Sequence, residues 1–557
     1  MKNITRIFRI LWASMPFSIG VLVSRFYSGL IPAGLQLYIL NSKYLKNKKH
    51  AKHKGVNVLI TPIWGFAESS LAVESILAIA LKNQGANVEF LACGGSLKYC
   101  MWDSEEHLSG NVNLYGKIRR KVNCLECTTM ISSISRAITG KEAVKLTDYK
   151  FKQNTHTDKR PHDLNHEHSK SSTLRKLLVG ELSDSVKGEI IYQNFYTSYV
   201  DYRATLLKVF EHKRPDRIIM THGIYLEHGT IIDLCHEYSI PVYVYGLQYR
   251  KNTISIVKGD TYHRALQGMD RGLWDICIDD SKKNQLFGYI GSKLSGGRDV
   301  VNYHPNPIIS KKDIISTLNL NIEKPITTLF TNVLWDANIY YSSNIFEGML
   351  DAIYHVILYF YTDNERQLII RVHPAESKGG FSTNLTLQSV IEEKFPDLPN
   401  NIQIVSAESD ISSYVLAEIS DLSIIYASNI GTELCALGHK VMVLGEAYCR
   451  GRGFTVDPNS QDQVWEFLNT VDKDMKPSDT DKELAMKFAY FWFFKLMIDF
   501  NFFDYSVELT REIEFKPDKL NLLLESGEVV NDNLREITNA IIEGRDFKFN
   551  KFNMEES

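Results

Sequence analysis

Residues 422–444, LSIIYASNIGTELCALGHKVMVL, decide the fold. Leu422 to Tyr426 is a short apolar run of the length and composition of a buried strand. Ser428, Asn429 and Gly431 follow as a small-residue turn. The residues after the turn carry apolar side chains at helical spacing as far as Gly438, which suits a helix end. Val441 to Leu444 then supplies a second apolar strand. Strand, turn, helix and strand in this order predict a parallel α/β unit.

The same alternation extends outward in both directions. Upstream of this unit lie the apolar runs Thr327 to Val333, Leu368 to Val372 and Ile402 to Val405, each read as a strand. A separate set begins near the N-terminus with Val56 to Pro62, a helix from Ala67 to Asn83, and the strand Asn87 to Cys93. It resumes with Arg217 to Met220, a helix from about Glu227 to Tyr238, and the strand Pro241 to Tyr245. Between the two sets, Gly288 to Pro307 is rich in Gly, Ser, Asn and Pro and reads as a linker. Two successive α/β units predict two facing Rossmann-like domains, with ligands bound at the carboxyl ends of the strands. The divisions expected are 55–300 for the first domain, 310–475 for the second and 476–557 for C-terminal helices crossing back. Residues 151–175, polar and nearly devoid of apolar side chains from Phe151 to Lys170, are expected to form a mobile loop. No short internal repeat points to a solenoid.

Bulk composition agrees with a large folded protein. The chain has 557 residues, too many for one core. Hydrophobic residues at 44% and charged residues at 23% are ordinary for a soluble globular chain. A formal net charge of -3 gives no bias toward nucleic acid, and none is expected as a partner. Eight cysteines in this length do not describe a disulfide scaffold. With no cleavable signal evident, a cytoplasmic interior is expected.

The N-terminal segment, residues 1–54, is distinct. Ile10 to Ile39 is mostly apolar but broken by Arg25, Pro16 and Pro32, flanked by Lys2, Arg6 and Arg9 and by the basic run Lys43 to Lys54. A spanning helix needs about 20 uninterrupted apolar residues. An amphipathic, basic segment lying on an anionic membrane surface fits better, which predicts peripheral attachment to the inner face of the cell membrane.

Polar residues at strand exits carry the chemistry. LIIRVHPAE, Leu368 to Glu376, ends a buried strand in His373, Pro374 and Glu376. Proline holds His373 extended; its imidazole can donate to a phosphate or titrate near neutrality. Arg371 offers a planar fork for phosphate or carboxylate. In the quoted turn, Ser428, Asn429, Gly431 and Thr432 place unpaired amides and a positive dipole end where a phosphate can sit. Glu433, in the first helical turn, is placed to accept hydrogen bonds from ribose hydroxyls, although a capping carboxylate also suits that position.

LIIRVHPAE together with Tyr426 to Thr455 resembles the capsule polysaccharide biosynthesis group, which includes Kdo transferases and related bacterial enzymes of capsule and lipopolysaccharide assembly. The shared features are His373-Pro374, Ser428 with Gly431-Thr432-Glu433, and the glycine-rich segment Tyr448 to Thr455. That segment departs from the group's aromatic-Ala-Gly-Trp-Gly pattern, reading Tyr448-Cys449-Arg450-Gly451-Arg452-Gly453. The resemblance implies a GT-B fold and a glycosyltransferase that takes a sugar from a nucleotide-sugar donor. A CMP-ulosonic acid such as CMP-Kdo is favoured, with a growing surface polysaccharide or lipid-linked glycan as acceptor. It also implies an Asp beyond the first strand of the second domain. Asp336 in TNVLWDANIYY is that candidate, as general base or as nucleophile, with helix capping as the structural alternative. Asn332 and Asn338 lie nearby. His373, Asp336 and Glu376 form the candidate catalytic set, and no cofactor is required for catalysis.

In the first domain the strand-exit residues Trp64, Gly65, Phe66, Glu68, Thr221, His222, Gly223, Tyr225, Gln248, Arg250 and Lys251 are candidates for lining the acceptor side. Cys93, Cys100, Cys124 and Cys127 have a spacing compatible with a structural zinc. The aromatic stretch AYFWFFKLMIDFNFFDY, within Asp481 to Tyr505, reads as a helix crossing between domains rather than a second membrane contact. Other functions compatible with these residues are a teichoic-acid-type polyol-phosphate transferase, a UDP-sugar 2-epimerase and a non-catalytic assembly scaffold.

Overall fold

The computed structural model describes residues 55–65, 67–149, 162–182, 186–295, 298–301, 303, 306–336, 339, 341, 343–377, 386–505, 513–525, 529 and 531–552. The N-terminal segment 1–54, Phe66 and Asn338 lie outside them. The chain divides into two compact units. One comprises residues 1–176, 184–265 and 497–557, the other 177–183 and 266–496.

The first unit is built on a seven-stranded sheet. Its strands are β1 (Asn57–Ile60), β2 (Asn87–Ala92), β3 (Val144–Lys145), β4 (Arg217–Thr221), β5 (Val242–Leu247) and β6 (Thr253–Lys258). The second unit holds β7 (Ile326–Phe330), β8 (Gln367–Arg371), β9 (Ile402–Val405), β10 (Leu422–Ile425) and β11 (Val441–Val443). The chain then returns to the first unit, where β12 (Ile498–Asp499) pairs with β6.

In the first sheet the order is β12-β6-β5-β4-β1-β2-β3. β1 to β5 run parallel, while β6 turns back antiparallel on β5 and β12 antiparallel on β6. The second sheet has the order β11-β10-β7-β8-β9 and is parallel throughout. β7, β8, β10 and β11 are buried along their whole length, as parallel strands covered on both faces are, while the edge strand β9 is partly buried. Leu329, Leu368, Ile370, Leu422, Ile424 and Met442 pack there with Ile353, Val356, Ile357 and Phe360 of the helix Met349–Thr362.

Both sheets reverse their winding beside their first strand. In the first unit the switch lies between β1 and β4, in the second between β7 and β10. Side chains leaving the carboxyl ends of those strands therefore line the crevices where ligands bind in such sheets.

Two expectations need correction. The linker expected at 288–307 is partly helical: the helix Asp280–Ser295 runs through its first half, and the division between units falls at residues 265/266. Glycines 288 and 291 leave that helix intact, because a Cβ at either would meet nothing within 4 Å and no tight turn depends on them. The loop expected at 151–175 is a helix from His162 to Leu177 over its second part. Its polarity is misleading, since His168, Ser169, Ser171, Ser172, Thr173 and Leu174 are buried. Thr173 Oγ1 bonds back to the Ser169 carbonyl at 2.7 Å, and Ser172 Oγ accepts from the Leu226 amide at 3.0 Å.

The aromatic stretch near the C-terminus is a helix, Asp479–Phe491, continued by a π turn, Trp492–Leu496. Phe491, Trp492, Phe493, Phe494 and Leu496 are buried, so they are not available to a lipid surface. Among the described residues no helix is long and apolar enough to cross a membrane.

Candidate functional site

The exit of β7 holds the second unit's crevice together. The Thr331 hydroxyl donates to the Arg371 carbonyl (3.2 Å) and accepts from the His373 amide (3.1 Å), fixing β7 against the exit of β8. On the other side, Asn332 Oδ1 accepts from the Ala427 amide (3.2 Å), fixing β7 against the exit of β10. Thr331 has no motif to give it away in the sequence; its role appears only when β7 and β8 are paired.

His373 stands at the mouth of this crevice. Pro374 restricts it to an extended backbone (φ -66°, ψ 128°), and it caps a short 3-10 turn, Pro374–Glu376. Its Nδ1 accepts from the Ala375 amide at 3.1 Å. An N–H aimed at Nδ1 requires that nitrogen to be bare, so a neutral ring carries its proton on Nε2. Tyr303 packs edge-on against the imidazole, with centroids 5.6 Å apart. Burial and then the charge of Asp336 push the Tyr303 hydroxyl's pKa up, which places Asp336 near the same ring. The Asp336 carboxylate is exposed and accepts no hydrogen bond among the described residues; its amide donates to the Val333 carbonyl at 3.2 Å. The next helix among the described residues, Met349–Thr362, is capped at Gly348 and not by Asp336.

Across the switch point, the helix Ile430–Leu437 begins directly after β10. Asn429 is its N-terminal residue but makes no side-chain cap, and its buried Oδ1 has no hydrogen-bond partner. Ser428 is half-buried beside it. A Cβ on Gly431 would fall 2.4 Å from Ile425 Cδ1 and 3.3 Å from Cys449 Sγ, so only glycine lets this helix start so close to the strand. Its amides and dipole accordingly face the crevice beside His373's strand.

Four expected site residues have other occupations. Arg371 is buried, and its guanidinium donates to the carbonyls of Ser406 (2.6 Å) and Ser409 (3.1 Å), clamping the loop after β9. Burial lowers its pKa to about 10. Glu376 is buried and accepts from the Leu387 amide (2.9 Å), tying down the start of the helix Leu387–Lys394. Thr432 is buried and bonds toward the Cys449 thiol. Glu433 is buried in a charged network with Lys293 (3.0 Å) and Tyr414 (2.5 Å) rather than presented to solvent. The site therefore narrows to His373, Tyr303, Asp336, Asn332, Ser428 and Asn429.

The two arginines that distinguish the glycine-rich segment are also structural. Arg452 donates to the carbonyls of Leu266 (2.5 Å), Gln267 (2.8 Å) and Met269 (2.7 Å), and Arg450 to those of Val443 (2.7 Å) and Pro458 (2.6 Å).

In the first unit the switch point between β1 and β4 gathers rings. Trp64 lies edge-on to His228 (4.4 Å between centroids) and near Tyr225 (6.3 Å) and His222 (6.4 Å). His228, which sequence reasoning missed, is fully buried with both ring nitrogens unpartnered, and burial holds its pKa near 3. Two other expected acceptor residues are structural. Arg250 pairs with Asp499 at 2.6 Å, tying the β5–β6 turn to β12, and Gln248 Nε2 donates to Ser255 Oγ at 2.7 Å within the hairpin.

The four cysteines do not assemble a metal site. Among the described residues no group of three or more His, Cys, Asp or Glu side chains is arranged to hold an ion. Cys127 Sγ instead accepts from the Gly65 amide (3.0 Å), and burial raises all four thiols above their ordinary range.

Residues 290–491 match the family model of capsule polysaccharide biosynthesis proteins. The match contains His373-Pro374, Ser428, Gly431 to Glu433 and Tyr448 to Thr455, so the resemblance read from those motifs is borne out. No curated protein matches the chain. Among solved structures, the KpsC β-Kdo 2,4-transferase of Thermosulfurimonas dismutans is 12% identical, with 56% of this chain and 87% of that one covered at a TM-score of 0.33. The KpsC β-Kdo 2,7-transferase of the same organism is 14% identical, covering 58% and 89%, at 0.32. The Neisseria meningitidis UDP-GlcNAc 2-epimerase is 12% identical, covering 78% and 95%, at 0.24.

Proposed function

We propose that this chain, which carries the capsule polysaccharide biosynthesis pattern over residues 290–491, is a glycosyltransferase of the GT-B type, peripherally attached to the cytoplasmic face of the membrane. Its donor is a nucleotide sugar, a CMP-ulosonic acid such as CMP-Kdo being favoured, and its acceptor is a surface polysaccharide or lipid-linked glycan. The observation that carries this reading is that His373 and the helix start at Asn429 leave the carboxyl ends of β8 and β10, the two strands that flank β7. Both offer hydrogen-bond donors to one anion, and a nucleotide sugar's phosphate is such an anion.

In this reading the donor phosphate lies against the helix start, and His373 Nε2–H donates to it. Charge grows on that phosphate as the bond to the sugar breaks, so a donor already in place favours the transition state over the ground state. Asp336, exposed and without a hydrogen-bond partner among the described residues, takes the proton of the acceptor hydroxyl. Tyr303 packs on the His373 ring, with Asp336 close by. The test is direct: incubate the full chain with CMP-Kdo and follow release of CMP. Binding is assayed separately, by thermal shift with CMP, CDP, UDP and GDP, since a ligand of the native state raises its melting temperature. Stabilisation by none of the four nucleotides, with no CMP released, removes the reading.

A further inference from the structure

The helix Leu114–Thr139 of the first unit has two unlike halves. Its second half, from Glu126 onward, supplies Cys127, Ile131, Ile134, Ala137 and Ile138 to the core. None of residues 114–125 is buried. Yet Leu114, Tyr115, Ile118 and Leu125 are large apolar side chains, 74%, 63%, 52% and 54% exposed. Leu114, Ile118, Val122 and Leu125 recur at helical spacing and so form one stripe along about 18 Å of helix. Lys117 and Lys121 run along the same face, with Arg119 nearby, and none of these three makes an ion pair among the described residues. Trp102, 39% exposed, adjoins Asp103, which Arg120 of this helix grips at 2.9 Å.

An apolar stripe of this length is unusual on a solvent face and marks an interaction surface. Its occupant is indicated by charge. The stripe is convex and carries unpaired cations with no acidic residue before Glu126, so it complements a surface that is apolar beneath and anionic above. Aliphatic side chains can enter the acyl boundary while lysines reach phosphate headgroups, and Tyr115 and Trp102 suit the interfacial zone. We infer that the helical face Leu114 to Leu125 docks the first unit onto an anionic phospholipid surface. The inference deepens the membrane attachment proposed above and rests on it, but assigns it to residues independent of the segment 1–54.

The test uses the full chain with vesicles of phosphatidylcholine alone or mixed with phosphatidylglycerol. Flotation measures binding, and hydrogen exchange read by mass spectrometry reports which amides the vesicle protects. Anionic vesicles should protect residues 114–125, and neutral ones should not. The double variant Ile118→Glu, Leu125→Glu should bind anionic vesicles about tenfold less while melting at the wild-type temperature, because both side chains point to solvent. A Lys117→Gln, Lys121→Gln variant should weaken binding most at low salt. Wild-type chain that fails to float with anionic vesicles overturns both the attachment and this helix's part in it. Wild-type flotation with unchanged binding by the double variant overturns only the helix. An oligomer that the double variant dissolves without vesicles assigns the face to a second copy instead, and also overturns it.

Discussion

Lys293 Nζ lies 3.0 Å from Glu433 Oε1, a buried ion pair joining the helix Asp280–Ser295 to the first turn of Ile430–Leu437. Asp299 shares the same ammonium at 2.5 Å, and Tyr289 and Tyr414 donate to the two carboxylates. Burial lowers the Lys293 pKa, but the charges around it, Glu433 first among them, outweigh that and carry it well above the ordinary range. The helix that begins at the crevice is thus positioned by a carboxylate that faces away from solvent.

Removing either partner should therefore act on the fold before it acts on ligand affinity. Lys293→Met leaves two carboxylates buried without their cation, a situation that costs about 3–5 kcal/mol. Glu433→Gln keeps the shape and a hydrogen bond and should cost less. Chemical denaturation of both variants ranks them. Equal, small losses of stability would show that the pair is solvated in the native protein.

A second buried pair predicts a pH dependence in the first unit. His168 Nε2 lies 3.1 Å from Asp233 Oδ2, while its Nδ1 lies 2.9 Å from the Ile224 carbonyl. A carbonyl and a carboxylate only accept, so the ring is doubly protonated. Burial alone pushes the His168 pKa down, but the charge of Asp233 and the hydrogen bond to it prevail, and the net shift is upward. For Asp233, burial pushes up, and the His168 charge with bonds from His168 and Tyr199 carries the net shift down.

The signs fix the window. A raised histidine stabilises fully below the unfolded value, about 6.5, and loses that stabilisation as pH rises through its higher folded value. A depressed carboxylate stabilises fully above about 3.9 and loses it as pH falls through its lower folded value. The pair thus contributes most between those two limits. Melting temperatures from pH 5 to 9 should fall on the alkaline side for the wild type, and more shallowly for His168→Asn.

Glu376 runs the other way. Burial, with the charge of Glu408 adding to it, raises its carboxyl to about 7, and one of its oxygens has no hydrogen-bond partner. A carboxyl raised on folding favours the native state below its unfolded value and loses that advantage as pH rises through 7. Glu376→Gln retains an acceptor for the Leu387 amide and removes the charge. It should melt higher than wild type at pH 8 and equally at pH 5. A lower melting point at pH 8 would instead identify the ionised carboxylate as the form the fold requires.

What the sequence discloses follows the period of its apolar residues. β9 matches its expected bounds, and most other strands of the two sheets match theirs within a few residues, because parallel strands buried on both faces are continuous apolar runs. The antiparallel β6, TISIVK, and the two-residue β12 went unseen, the first because Ser255 interrupts its apolar run and the second because it lies inside an aromatic stretch read as a helix. The helix His162–Leu177 was hidden by its own serines, whose burial no composition reveals. At the site, His373 and the turn at Ser428–Asn429 were legible because a proline, a glycine and a small-residue turn constrain backbone. The occupations of Arg371 and Glu433 were not, since their partners Ser406 and Lys293 are 35 and 140 positions away in sequence. A charged residue beside a strand end looks the same whether it faces a ligand or a neighbour.

The roles of His373 and Asp336 should separate experimentally. His373 is held by Thr331 at its amide and by Ala375 at Nδ1, so its Nε2–H keeps one direction without any ligand present. A donor fixed in advance acts on charge that develops in the transition state, and losing one such interaction costs on the order of a hundredfold in rate. His373→Ala should therefore slow both sugar transfer and hydrolysis of the donor. Asp336, exposed near Tyr303, serves only the acceptor's proton in the proposed reaction. Asp336→Asn should then slow transfer while leaving donor hydrolysis and nucleotide affinity close to wild type. Tyr303→Phe keeps the ring against His373 and should preserve activity, whereas Tyr303→Ala frees the imidazole and should resemble a mild His373 variant. Measuring CMP release with and without acceptor for the four proteins separates these effects. Wild-type transfer by Asp336→Asn would place the base elsewhere.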